Sequence, residues 1–186
     1  MYGKIACDAP IQSQVKKVDC AYYATKVTRE YEEVVTSKDD QGKTVKETKR
    51  RSEVVSQNKQ STPFWLVDTS GKIEIHPEEA DIETVEILSE FRPETQGIGK
   101  ISFGGVSLST NTQRNGRGRT LGYKYEESIL PLGREALVVG MATDATAGLA
   151  IRRPSENKQQ FIISLKTEGE LTKGASRHAQ QAFYTM

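Results

Sequence analysis

Long apolar stretches are missing. Only 40 of the 186 residues are Leu, Ile, Val or Phe, and no window approaches the run of about 18 apolar residues that a membrane-spanning helix needs. The most apolar run, Ala136 to Ala142, is far too short, so the chain as given is expected to be soluble. Met1-Tyr2-Gly3-Lys4-Ile5 lacks the basic and apolar regions of a secretory signal, which leaves an internal protein or a fragment. Cysteine is scarce too. Cys7 and Cys20 are too few for a disulfide framework, and their spacing is not that of zinc ligands. They read as two small core residues, with a mutual disulfide or a shared metal as the alternatives. Charge of one sign is also lacking. A net charge of +1 argues against wholesale disorder, although the apolar content lies near the lower limit for folding.

What is present favours strands. Val, Ile and Thr total 42 against 23 for Ala plus Leu. The length supports one substantial core, so the chain is expected to be a single domain over 1–186. Its sub-units would be 1–94 and 120–186, joined by a Gly-rich loop at 95–119. Residues 3–35 predict two or three strands broken at Pro10, and Val27 to Val35 faces Val45 to Val55 across a polar turn, predicting a long protruding hairpin. Phe64 to Val67, a turn over Asp68 to Gly71, and Lys72 to Ile75 predict a second hairpin. Ile82 to Phe91 alternates less cleanly; Val85, Ile87 and Phe91 on odd positions favour a strand over a short helix, and Ile101 to Leu108 reads as a weak strand within the loop. Thr120 to Ile129, Ala136 to Met141, Leu149 to Arg152 and Phe161 to Leu165 predict further strands, with a turn over Thr143 to Gly148. The expected architecture is mainly β: an antiparallel barrel or sandwich-like body of two meanders, with a short C-terminal helix from Glu168 capped by Thr167.

Charge is uneven along the chain: residues 1–62 carry +3, 63–95 carry −7 and 96–186 carry +5. The acidic block from Glu78 to Glu94 reads as a solvated face. Lys46, Lys49, Arg50 and Arg51, and the loop Arg114-Asn115-Gly116-Arg117-Gly118-Arg119, could reach phosphates. No interleaved aromatics support them, which speaks against nucleic acid. No catalytic constellation emerges. His76 and His178 are the only histidines and read as surface residues, and Asp68 reads as a turn former. Glu126 and Glu127 are adjacent on a strand and therefore point to opposite faces, so they cannot act together on one substrate. No phosphate loop, dinucleotide fingerprint, metal motif or cofactor motif is present.

Two series of residues carry a family resemblance. Pro63-Phe64-x-Leu66-x-Asp68-x-x-Gly71-x-Ile73-x-Ile75-x-Pro77-x-x-Ala80 is followed by Leu121-Gly122-Tyr123-x-Tyr125-Glu126-Glu127-x-Ile129-Leu130-Pro131-Leu132-Gly133 and by Leu137-Val138-Val139-Gly140. Their order and spacing resemble the GIDE domain, also called BAM for "beside a membrane". Gly3-Lys4-Ile5, Cys20-x-Tyr22-Tyr23 and Phe161 to Ser164 resemble its opening and closing segments, so the likeness spans roughly residues 3–172. The resemblance implies the soluble part of a membrane-anchored protein, lying between membrane helices that this chain does not contain. Its relatives would be cyanobacterial membrane proteins and organelle-anchored ubiquitin ligases. Those ligases work through a RING domain built on a full set of Cys and His zinc ligands, which two of each cannot supply here.

The expected role is recruitment of a protein or small ligand without catalysis or cofactor, with membrane contact through flanking segments. The substrate-recognition part of a ligase whose RING lies elsewhere is the alternative, and a nucleic-acid binder the second; self-association is left open. Binding is expected on the two polar excursions: Asp39, Asp40, Lys43, Arg50 and Arg51 on the hairpin, and Arg114, Arg117 and Arg119 in the loop.

Overall fold

The computed structural model describes residues 1–38, 40–94, 101–108, 118–145, 148–155 and 160–165. Among them the chain is built of strands. The first half supplies β1 (Tyr2–Ala6), β2 (Ile11–Gln12), β3 (Asp19–Lys38), β4 (Thr44–Ser61), β5 (Phe64–Asp68), β6 (Gly71–Ile75), β7 (Asp81–Ile82) and β8 (Val85–Pro93). The second half supplies β9 (Ile101–Phe103), β10 (Val106–Leu108), β11 (Arg119–Pro131), β12 (Glu135–Val139), β13 (Met141–Ala145), β14 (Gly148–Arg152) and β15 (Ile162–Ser164). The mainly β class and the long hairpin form as expected. The expected C-terminal helix and most of the 95–119 loop lie outside the described residues.

One sheet has the order β13-β14-β6-β5-β1-β12-β15-β7. Its seed is the β5–β6 hairpin, where alternation turns Phe64 and Leu66 inward opposite Ile75 and Ile73. The two-residue turn suits its sequence: Asp68 Oδ1 accepts from Ser70 N at 2.7 Å and from Gly71 N at 3.1 Å, and Gly71 takes a φ of 150°. Strand β1 lies between β5 and β12, bringing Ile5 beside Leu66 and Val138 in one buried cluster. Burying each such side chain contributes about 1.5–3 kcal/mol. The two meanders are not kept apart in space. β14 runs parallel to β6 and β15 parallel to β7, so strands from both halves of the chain share this sheet and its core. The turn expected over Thr143 to Gly148 is mostly strand, because β13 pairs with β14 from Met141↔Arg152 to Ala145↔Gly148. Polar residues suggested a turn there, but cross-strand partners take up the backbone groups.

The second sheet has the order β4-β3-β11-β8, with β2 beside the first residues of β3 on the edge that β4 occupies further along. One face of this sheet is closed. Tyr123, Tyr125 and Val27 are buried on it beneath the small β9–β10 hairpin, with Phe103 edge-on to Tyr125 at 4.8 Å between ring centroids. The β9–β10 turn packs on the loop at 13–18 so closely that a Cβ on Gly104 would lie 2.3 Å from the Val15 side chain. The other face packs into the core of the first sheet at Leu130 and Tyr22, and carries half-buried and exposed side chains over Ala24, Lys26, Glu126 and Ser128.

Cys20 is buried near the start of β3, and desolvation, followed by the charge of Glu127, pushes its thiol up to about 11. A thiol with so high a value stays protonated at neutral pH and reacts slowly. At about pH 8, Cys20 is therefore expected to resist iodoacetamide in the native chain and to label once the chain is unfolded; mass spectrometry of the peptides reads the result.

Candidate functional site

The β3–β4 hairpin holds register from Tyr22↔Ser61 to Lys38↔Thr44. Strand β11 accompanies β3 only as far as Arg119↔Glu32. Beyond Glu32, among the described residues, β3 has β4 as its only neighbour, so 33–49 forms a two-stranded ribbon extending about 20 Å past the sheet. Arg29 ties its base together: Nε donates to Thr120 Oγ1 and Nη1 to Glu53 Oε1, both at 2.8 Å, while the guanidinium covers the Tyr31 ring.

The sequence-expected binding residues that are described do not form one cluster. Asp40 and Lys43 are exposed at the hairpin end, where Gly42 takes a φ of 76°. Arg50 and Arg51 are adjacent in sequence and therefore fall on opposite faces of β4. Arg50 Nε lies 3.6 Å from Glu32, and Arg51 Nε donates to Glu33 at 2.8 Å. Arg119 stands opposite Glu32 on the other side, so two arginines flank one carboxylate in a row across three strands. Asp39, Arg114 and Arg117 lie outside the described residues. His76, expected on the surface, is half-buried with Nε2 3.4 Å from Glu74. Of the acidic block, Glu78, Asp81 and Glu86 are solvated, whereas Glu83 accepts from Ser164 Oγ at 2.7 Å.

Glu127 has a role that sequence reasoning missed. The pair Glu126 and Glu127 does point to opposite faces, and the Glu127 carboxylate is buried beneath the loop at 13–18. Its Oε1 accepts from Val15 N at 2.7 Å and Thr25 Oγ1 at 3.3 Å; its Oε2 accepts from Lys16 N at 2.9 Å and Ser13 Oγ at 3.2 Å. Four donors replace the water that the charge gives up. The signal was there in the parity of β11, where Glu127 continues the inward series Tyr123, Tyr125 and Ile129.

On the open face, Glu126 bridges two lysines, with Lys26 Nζ at 2.9 Å and Lys124 Nζ at 2.8 Å. The hydrogen bond from Lys124, followed by that from Lys26, holds its carboxyl below the usual carboxylate range. Around this bridge the curled sheet forms a trough of about 570 Å³ across β4, β3, β11 and β8, lined by Lys59, Gln57, Ala24, Lys26, Ser128 and Glu86 among others. No group of three or more His, Cys, Asp or Glu able to hold a metal occurs among the described residues.

The family comparison bears on this hairpin and sheet together. The family model GIDE, described as E3 ubiquitin ligase, matches residues 32–186, more than half of the chain. The chain belongs to the GIDE family. No curated protein and no solved structure matches it. The matched part of the GIDE chain opens within β3, so the ribbon, the trough strands β4, β8 and β11, and Glu127 fall inside it, whereas Gly3 to Ile5 and Cys20 to Tyr23 precede it.

Replacing Glu127 by Gln removes the charge and turns one acceptor into a donor facing other donors. The expected loss is about 1.5–3 kcal/mol in urea unfolding, with faster amide exchange at Val15 and Lys16. A depressed carboxylate contributes stability that is complete above its ordinary value of 4.5 and is lost as pH falls through the lower folded value. Glu126→Gln should therefore flatten the acid limb of a plot of urea midpoint against pH, leaving the neutral region with the smaller midpoint of the variant.

Proposed function

We propose that this GIDE domain is a non-catalytic binding module of a membrane-anchored protein, recruiting a partner protein or small ligand through the β3–β4 ribbon and the adjoining sheet face. The observation that carries this reading is the placement of β4. Over its 18 residues it lies at the edge of the sheet, with no buried side chain, and carries Lys46 and Lys49 on the projecting ribbon and Arg50 and Arg51 at the ribbon's base. Long exposed edges are normally blunted or used. Charge blunts this one against indiscriminate pairing, while Val34, Val45 and Val54 leave apolar surface on it. Arg50 and Arg119 around Glu32 leave one positive charge in excess, which favours an acidic partner surface.

The description of the family supports a second, narrower form of the same reading, in which the domain is the substrate-recognition part of an E3 ubiquitin ligase whose zinc-binding RING lies outside this chain. Two cysteines and two histidines do not make up a RING ligand set. In this narrower form the ubiquitin chemistry is supplied elsewhere, and these residues choose what is brought to it.

Photo-crosslinking in intact membranes tests the reading, using the protein expressed from its own gene with a photoreactive residue in place of Lys46. A defined partner should be captured by the parent and lost from the Arg50→Glu/Arg51→Glu variant, whose unfolding midpoint should stay close to the parent's because both side chains are largely exposed. Capture unchanged by the double substitution, or crosslinks to the chain itself alone, would overturn it.

A further inference from the structure

We propose that the trough on the open face of the five-stranded sheet docks an extended segment of a partner polypeptide that carries an acidic and a basic side chain four residues apart. This goes beyond recruitment through the ribbon, since it uses none of the hairpin arginines.

The trough follows from the register. Lys59 on β4 stands opposite Ala24 on β3, Ala24 opposite Ser128 on β11, and Ser128 opposite Glu86 on β8. Directly paired residues share a face, so these four form one row across the sheet with two small side chains in the middle. Ala24 and Ser128 create the floor, and the larger Lys59 and Glu86 stand at either end. The next row along the strands is Gln57, Lys26 and Glu126, in which the Lys26–Glu126–Lys124 bridge satisfies its own carboxylate. Beyond that lies a row of Val54, Thr28, Lys124 and Phe91, whose two ends are exposed apolar side chains.

The side chains at the two ends of the floor carry opposite charges, and Glu86 acts on Lys124 only through space. Lys59 and Glu86 are exposed, and neither makes a hydrogen bond or ion pair with any described residue. One wall therefore offers a cation and the other a carboxylate, separated by three strand spacings, about 14 Å. In an extended polypeptide crossing the strands, residues i and i+4 point to the same side and lie about 13 Å apart, which matches that span. A carboxylate side chain at the Lys59 wall and a Lys or Arg at the Glu86 wall would complete both charges, while the intervening residues lie on Ala24 and Ser128. The volume of about 570 Å³ is within the ordinary range for ligand sites, about 300–1,000 Å³. A polyanion such as nucleic acid would set its phosphates against Glu86 and leave that charge unpaired, whereas a segment carrying both signs pairs both walls.

The test titrates the amidated, acetylated pentapeptide Glu-Thr-Val-Thr-Lys into the isotopically labelled 186-residue chain, with amide shifts as the readout. Saturable shifts are expected at Ala24, Ser128 and Glu86. Lys59→Glu should weaken binding up to about fivefold, and the exchange Lys59→Glu/Glu86→Lys should restore it, because the peptide can lie in the reverse direction. Peptides bearing two Glu or two Lys should bind more weakly by a similar factor. Ala24→Leu, which fills the floor, should abolish the shifts while the remainder of the spectrum stays dispersed. Arg50→Glu/Arg51→Glu should leave peptide binding unchanged, separating this site from the ribbon. Absence of shifts at these amides with millimolar peptide, or equal binding of the like-charged peptides, would overturn the proposal; equal shifts from inorganic phosphate alone would replace it with a plain anion site.

Discussion

The buried carboxylate of Glu127 constrains much of the arrangement around it. A charge inside a sheet is tolerated only where donors take the place of water, and here two backbone N–H groups and two hydroxyls do so. Three of those donors belong to the loop at 13–18, so that loop must lie against the face to which Glu127 points. Once there, it offers Val15 as the surface on which the β9–β10 turn rests, and the same face becomes the roofed side of Tyr125 and Val27. The opposite face is left open around the trough, while at its Tyr22–Leu130 end it packs into the core of the first sheet. The trough, the Lys26–Glu126–Lys124 bridge and one side of the ribbon all lie on it as a result.

Alternation along β3, β4 and β11 then decides where charge goes. Pairs adjacent in sequence, such as Glu32 with Glu33, Arg50 with Arg51, and Glu126 with Glu127, are divided between two surfaces. What looks like a basic cluster in the linear sequence becomes two separate sets of cross-strand ion pairs, each partly neutralised by the neighbouring strand. Conversely, residues far apart in sequence, Lys59, Ala24, Ser128 and Glu86, come into one row. The surface that a partner would meet is thus written in register rather than in runs of like residues.

Membership of the GIDE family and this distribution of charge point in the same direction. The family description is that of a ubiquitin ligase, whereas the described residues combine a stable β body with long solvent-facing edges and a protonated, buried Cys20. Choosing a partner and transferring ubiquitin place different demands on a chain: the first needs exposed, rigidly held side chains, the second a zinc-organised platform. The recruiting role proposed above draws on the first.

The sequence alone determined the β class and the elements that depend on near neighbours. The hairpins at β3–β4 and β5–β6, the Asp68 turn and strand β8 were legible because alternation and turn chemistry act over a few residues. The hairpin excursion was also legible, whereas 101–108 of the expected loop is a small hairpin packed over Tyr125, and the opposed directions of Glu126 and Glu127 followed from strand geometry. Tertiary structure alone decided that β14 and β15 run parallel to β6 and β7, that β1 enters between β5 and β12, and that β13 continues where a turn was expected. It also decided that Glu127 is an anchor and that Lys59 and Glu86 stand at opposite ends of a floor of small residues. Apart from the β13–β14 hairpin, whose partners are neighbours in sequence, these outcomes rest on pairings between strands distant along the chain, and local propensity holds no record of which distant backbone will supply the hydrogen bonds.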